Sequence, residues 1–211
     1  MNPGEFYNKI VEIERKRERK EIVIFLFAQP TETEILQTFA YLHYNSGKFC
    51  NIFAIGYTDD RSKLGTYQFR EVNASIDGEK RWLYSDLVFV DVKNYLEERI
   101  NWKYSGETDL LILQSNPEQR DVLDFTNCVA INVKEGIKEG YISSFRSFME
   151  ALVRSAHTEV TPQNAVFKTR MSNIRLIDVL IDAVIDTAKI PGFLKKFVKN
   201  GLFRNGVKVI R

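Results

Sequence analysis

Residues 21–57, EIVIFLFAQPTETEILQTFAYLHYNSGKFCNIFAIGY, decide the fold. EIVIFLFA is continuously apolar over the length of a strand and is stopped by Pro30, the pattern of a strand buried on both faces. Thr31 or Thr33 can cap the helix that follows. Its Ile35, Leu36, Phe39 and Leu42 recur at steps of three and four before Ser46-Gly47 closes it. CNIFAIGY is a second strand, and strand, helix and strand with short joints predict a βαβ unit with parallel strands.

Upstream, Phe6, Ile10 and Ile13 sit at helical spacing and run into ERKRERKE, whose alternating signs predict a solvated helix surface. Downstream, residues 58–83 are polar and irregular, with an edge-strand candidate TYQFREV and an Asp77-Gly78 turn signal. SDLVFVDV then leads into the helical KNYLEERINWKY. After the Ser105-Gly106 break come two strands, DLLILQS and CVAINV, and the helix SSFRSFMEALVRSA. There Ser143 or Ser144 is the cap, and Phe145, Phe148, Met149 and Leu152 form one stripe.

The order predicts an α/β domain over residues 1–157, a mixed sheet flanked by helices with an N-terminal helix. In element order alone it resembles the thioredoxin-like layout, but without the redox motif: AQPTETE stands where thiol exchange needs C-x-x-C. A doubly wound open sheet fits the same order. Residues 158–171 form the joint to a C-terminal helical hairpin with a basic tail over 172–211. In that part Asp178, Asp182 and Asp186 make one stripe on an apolar helix, Pro191-Gly192 breaks it, and Phe193 and Phe197 share one side of the next helix. Asn205-Gly206 signals a hairpin turn.

With 44% hydrophobic and 27% charged residues, 211 residues can bury a core without staples. Two cysteines, no apolar leader and no run of about 18 apolar residues lead us to expect a reduced, cytoplasmic protein. The net charge is +2, yet Lys189, Lys195, Lys196, Lys199, Arg204, Lys208 and Arg211 supply seven cations to the last 23 residues, leaving −5 for the rest. Such a tail docks on the aspartate stripe, on an acidic protein, or on phosphates, whose contacts make affinity fall steeply with salt. No helix-turn-helix, zinc finger or RNP pattern accompanies it, and a membrane surface is a weaker match to it than these.

Chemistry-bearing patterns are sparse. Glu97 or Glu98 on a helix with Asp109 and Gln114 on a strand resembles the divalent-metal nuclease core PD-(D/E)xK. Gln114-Ser115-Asn116 departs from it where the lysine belongs, so no metal and no cofactor is expected. Asn45-Ser46-Gly47-Lys48 lacks the first glycine and the Ser/Thr of a P-loop. His43 and His157 have no metal spacing. Thr58-Asp59-Asp60 stands at a strand's C-terminal end, where α/β sheets place ligands, although a turn uses aspartates equally well. Trp102-Lys103-Tyr104 concentrates aromatics that either close the core or anchor an interface.

The sequence therefore predicts a non-catalytic binding or assembly component, docking on another protein or on itself through Trp102, Tyr104, Phe193 and Phe197. A nucleic-acid-binding module using the basic tail and a degenerate metal-dependent nuclease using Glu97, Glu98 and Asp109 are the alternatives.

Overall fold

The computed structural model describes residues 4–18, 21–48, 50–64, 68–72, 82–140, 142–160 and 207–210. In chain order the elements are α1 (Glu5–Arg15), β1 (Ile22–Phe27), α2 (Thr33–Asn45), β2 (Cys50–Ala54), β3 (Tyr57–Thr58), a 3-10 turn (Arg61–Leu64), β4 (Arg70–Val72), β5 (Trp82–Tyr84) and α3 (Asp86–Glu97). They continue with β6 (Asp109–Ser115), β7 (Leu123–Asn132), α4 (Val133–Lys138), α5 (Phe145–Val160) and β8 (Val207–Ile210).

A five-stranded sheet runs β2-β1-β6-β7-β8. β1 and β2 are parallel, from Ile22↔Cys50 to Leu26↔Ala54, with α2 as their crossover. β6 is antiparallel to β1, β7 to β6 and β8 to β7. The sheet is therefore mixed, and it departs from an all-parallel doubly wound sheet because a hairpin rather than a crossover helix joins β6 to β7. A second, three-stranded sheet, β3-β5-β4, stands beyond the C-terminal end of β2.

All six residues of β1 are buried, so both faces of this interior strand are covered. On one face Phe25 and Phe27 meet Phe53, Phe125, Phe89 and Trp102, beneath α1 and α3, which pack on each other through Tyr7 and Tyr95. α2 and α5 pack together over the other face at β2. Ser144 caps α5 through a hydrogen bond from the Ser147 N–H, and Phe145, Phe148, Met149 and Leu152 are buried as one stripe. No helix among the described residues is long and apolar enough to cross a membrane.

Three local expectations need correction, and one helix starts earlier than its cue: SDLVFVDV, which the sequence left without an element of its own, is the first half of α3, with Ser85 as its N-cap residue. Val88, Phe89, Val92 and Leu96 are buried while Leu87 and Val90 are exposed, a helical period that overrides the β-branched composition. α2 begins at Thr33 behind Glu32, so neither threonine caps it with its side chain. CNIFAIGY is broken at Gly56 into β2 and β3. Finally, the charged stretch that begins in the last turn of α1 is not wholly solvated: Glu14 and Glu21 are both buried.

Of the C-terminal part, Val207–Ile210 is described, and it forms the edge strand beyond β7, with the Lys208 backbone opposite Ala130. The joint read over 158–171 starts too early, because residues 158–160 are the last of α5. The rest of the joint, 161–171, the helices expected over 172–200, the first arm of the expected Asn205-Gly206 hairpin, Lys189, Phe193, Lys195, Lys196, Phe197, Lys199, Arg204 and Arg211 lie outside the described residues, as does Asp77-Gly78.

Candidate functional site

The sheet ends at β2, and the outer side of that strand is where the layers part. Residues 51, 53 and 55 direct their backbone groups at β1, since the Ile55 N–H donates to the Leu26 carbonyl, so Cys50, Ile52 and Ala54 direct theirs outward. The chain caps much of this edge itself. The Gly47 N–H donates to the Cys50 carbonyl, and the Ser46 hydroxyl both accepts from the Ile52 N–H and donates to the Ile52 carbonyl. Such capping stops a bare edge from recruiting another strand.

Along this edge lies a groove of about 660 Å³. α1 supplies Phe6, Ile10 and Ile13 to one wall, α3 adds Val88 and Val92, α2 gives Leu42 and His43 on the other side, and Tyr57 and Trp82 close the upper end. Ile13, the third residue of the helical stripe of α1, is 46% exposed because it stands at the groove mouth rather than over the sheet.

Aromatic stacking fixes the upper end. Phe39 meets Tyr57 edge-on at 4.8 Å and Trp82 at 5.1 Å, and the His43 ring stands edge-on to Trp82 at 5.6 Å. The Tyr57 hydroxyl donates to the Ala28 carbonyl, and burial pushes its pKa well above the ordinary phenol range. His43 Nε2 lies 3.6 Å from Asp59 Oδ2, which places a carboxylate at the same aromatic end. Asp59 and Asp60 thus divide the two uses foreseen for them. Asp60 organises the turn by accepting from the Ser62 N–H and hydroxyl, while Asp59 faces the groove.

The α1 wall is anchored to the sheet by a polar network that the sequence did not reveal. Asn51 on β2 donates from its amide nitrogen to Glu14 (2.8 Å) and to Glu21 (2.7 Å), while its oxygen accepts from Arg17 (3.0 Å). Burial raises the Glu14 pKa.

The described residues expected to carry chemistry or docking sit elsewhere. Trp102 is 5% exposed, its ring 4.8 Å from that of Phe27, so its indole serves the core and not an open interface. Tyr104 is half-buried edge-on to Phe89, and burial pushes its phenol up to about 12. Glu97 accepts from the Tyr104 N–H (2.8 Å) and from Lys93 (3.2 Å). Partial burial works the other way, but these donors hold its pKa below the usual carboxylate range. Glu98 is exposed beside Arg99. Asp109 is buried and bound on both oxygens by Ser105, and desolvation raises its pKa.

The three acids therefore serve separate structural tasks. Among the described residues no group of three or more His, Cys, Asp or Glu could hold a metal ion. The hydroxyls at the groove rim are likewise committed: Thr58 donates to the Asp60 carbonyl and Ser62 to the Asp60 carboxylate. What the groove offers is an apolar surface with one acidic, aromatic end. Comparison with known protein families, with curated proteins and with solved structures finds no match.

Proposed function

We propose that the chain is a non-catalytic binding component that receives an apolar segment of another protein in the groove beside β2. The observation that carries this reading is the groove itself: an apolar groove of about 660 Å³ opens at a sheet edge, with Ile13 exposed at its mouth and, among the described residues, no nucleophile-base pair aimed into it. Because Ser46 and Gly47 already cap β2, the partner contributes side chains rather than an added strand.

We also read the layout as thioredoxin-like without its redox motif. A βαβ unit, a crossover helix, a β-hairpin and a closing helix support that reading. Thiol exchange is no part of it, since Cys50 and Cys128 are buried and desolvation pushes the Cys50 thiol up to about 12, where a reactive thiolate needs a lowered value.

The test is native mass spectrometry of the protein purified at low salt from its own host, wild type beside Ile13→Asp. A second polypeptide retained by the wild type and lost from the variant is the expected result. Two lone monomers, or a partner indifferent to Ile13, would overturn the proposal, and absorbance at 260 nm travelling with the protein would favour the nucleic-acid alternative.

A further inference from the structure

We infer that Glu14 works as a proton-operated strut: protonated, it holds the end of α1 on β2, and on giving its proton to solvent it lets that end, and with it the α1 wall of the groove, come away. The inference stands whatever the groove receives. α1 is fastened at two ends, with the groove between them. At the first end the Gly4 N–H donates to Asp91 Oδ1 at 3.1 Å, and the Tyr7 ring stacks on Tyr95 of α3 at 4.5 Å. Phe6, Ile10 and Ile13 then line the groove. At the last turn Glu14 crosses to β2, where its Oε1 accepts from Asn51 at 2.8 Å.

Glu14 is wholly buried, and its surroundings suit a neutral acid better than an anion. The Asn51 amide nitrogen that serves it is shared with the Glu21 carboxylate at 2.7 Å, and Arg17 donates to the Asn51 oxygen at 3.0 Å. Glu14 Oε2 has no donor in hydrogen-bond geometry among the described residues, the Ser115 hydroxyl being bonded to the Glu21 backbone. An ionised oxygen buried in that way is costly, and protonation relieves the cost. The described groups facing Glu14 are Arg17 beyond α1, Glu21 before β1, Asn51 on β2 and Ser115 on β6, while Arg15 reaches the Arg120 carbonyl instead. Burial opposes the anion most and Glu21 adds to it. Ser115, Arg17 and Asn51 offset them only in part, so the pKa is raised. The docked helix end therefore binds the proton more tightly than the released one. The strut is complete below about pH 4.3 and is lost as pH rises through the raised value.

The test is hydrogen exchange of the full chain, read by mass spectrometry at about pH 5 and about pH 8 and corrected for the intrinsic rate at each, with the wild type beside Glu14→Gln. Glutamine keeps the acceptor for Asn51 and cannot ionise. Wild-type peptides covering 8–17 are expected to exchange about tenfold faster at the higher pH, the scale of a local opening linked to one proton. Peptides covering 110–114 are expected to keep their rate. In Glu14→Gln the 8–17 peptides are expected to exchange alike at both pH values. Equal corrected rates at 8–17 in the wild type, a comparison that needs no substitution, overturn the inference, as does a Glu14→Gln chain that quickens with pH like the wild type. Quickening of 8–17 and 110–114 together also overturns it, since the proton then supports the whole fold rather than one helix end.

Discussion

Asp109 accepts from Ser105 twice, from its N–H at 2.9 Å and from its hydroxyl at 2.7 Å. A carboxylate used on both oxygens inside one turn, and buried at the first residue of β6, fastens the loop after Trp102 to the sheet. Its burial leaves it no open face for an ion. Asp109→Ala removes both acceptors that hold the exposed Ser105 turn to the buried start of β6 and is expected to cost about 1–3 kcal/mol in urea unfolding. Asp109→Asn, which keeps one acceptor, is expected to lose less. Magnesium or manganese is expected to leave the wild-type melting temperature unchanged, and a rise that Asp109→Ala removes would restore the metal-site reading.

Glu14 makes a pH prediction whose sign follows from its surroundings. Burial raises its pKa, Glu21 adds to the rise, and the Ser115 hydroxyl, Arg17 and Asn51 only partly oppose it. The folded state therefore binds this proton more tightly than the unfolded chain does. The contribution is complete below the ordinary carboxylate pKa of about 4.3 and is lost as pH rises through the raised value. Glu14→Gln is uncharged throughout and can still accept from Asn51. The stability of the wild type minus that of Glu14→Gln is expected to fall between pH 4 and pH 7, leaving the variant at least as stable at neutral pH. A difference that rises with pH would show Glu14 to be a stabilising anion.

How far the sequence carries can be judged from particular residues. EIVIFLFA reveals β1 because an interior strand covered on both faces is apolar at every position, and that signal is local. The first half of α3 is not revealed, since Leu87, Val88, Phe89 and Val90 are all apolar and only the tertiary fold makes 88 and 89 inner and 87 and 90 outer. Glu14 and Glu21 read as surface charges because their partner, Asn51, lies 37 and 30 residues away. The groove is hidden for the same reason, its walls coming from α1, α2, β2 and α3. Asp59 was visible as a carboxylate at a strand end, but not the histidine that meets it.

Gly56 turns the chain from β2 into β3 with φ +88°, and a Cβ there would stand 2.8 Å from Tyr84 Cε2 and 3.1 Å from Phe89 Cβ and the Ser85 carbonyl oxygen. Both the backbone conformation and the space demand glycine. Gly56→Ala is expected to cost about 1–3 kcal/mol. Because Tyr57 follows directly, the substitution is also expected to shift the emission of Trp82 at the groove end. A variant with wild-type stability and emission would mean that the turn relaxes freely.

Trp102→Ala separates a core role from an interface role. The ring packs on Phe27 and lies 6.4 Å from Tyr104, and removal of so large a buried side chain is expected to cost about 3–5 kcal/mol. An interface anchor would instead leave stability nearly unchanged and reduce binding. Chemical denaturation of the isolated chain decides between them.

The last strand gives the basic C-terminal segment a structural task whatever its cations bind. Backbone pairing of Val207–Ile210 with Ile131–Cys128 makes β8 the edge of the main sheet and β7 an interior strand. Cys128, Val129, Ala130 and Ile131 are all buried beside it. Deleting residues 207–211 converts β7 into an edge and frees those of its amides that β8 holds, so hydrogen exchange is expected to quicken in peptides covering 128–132. Peptides covering β1 and β6 keep their neighbours and are expected to exchange as before. Unchanged protection at 128–132 would mean that β8 does not hold this edge in solution, and uniform loss across the sheet would mean that the strand is needed for the whole fold.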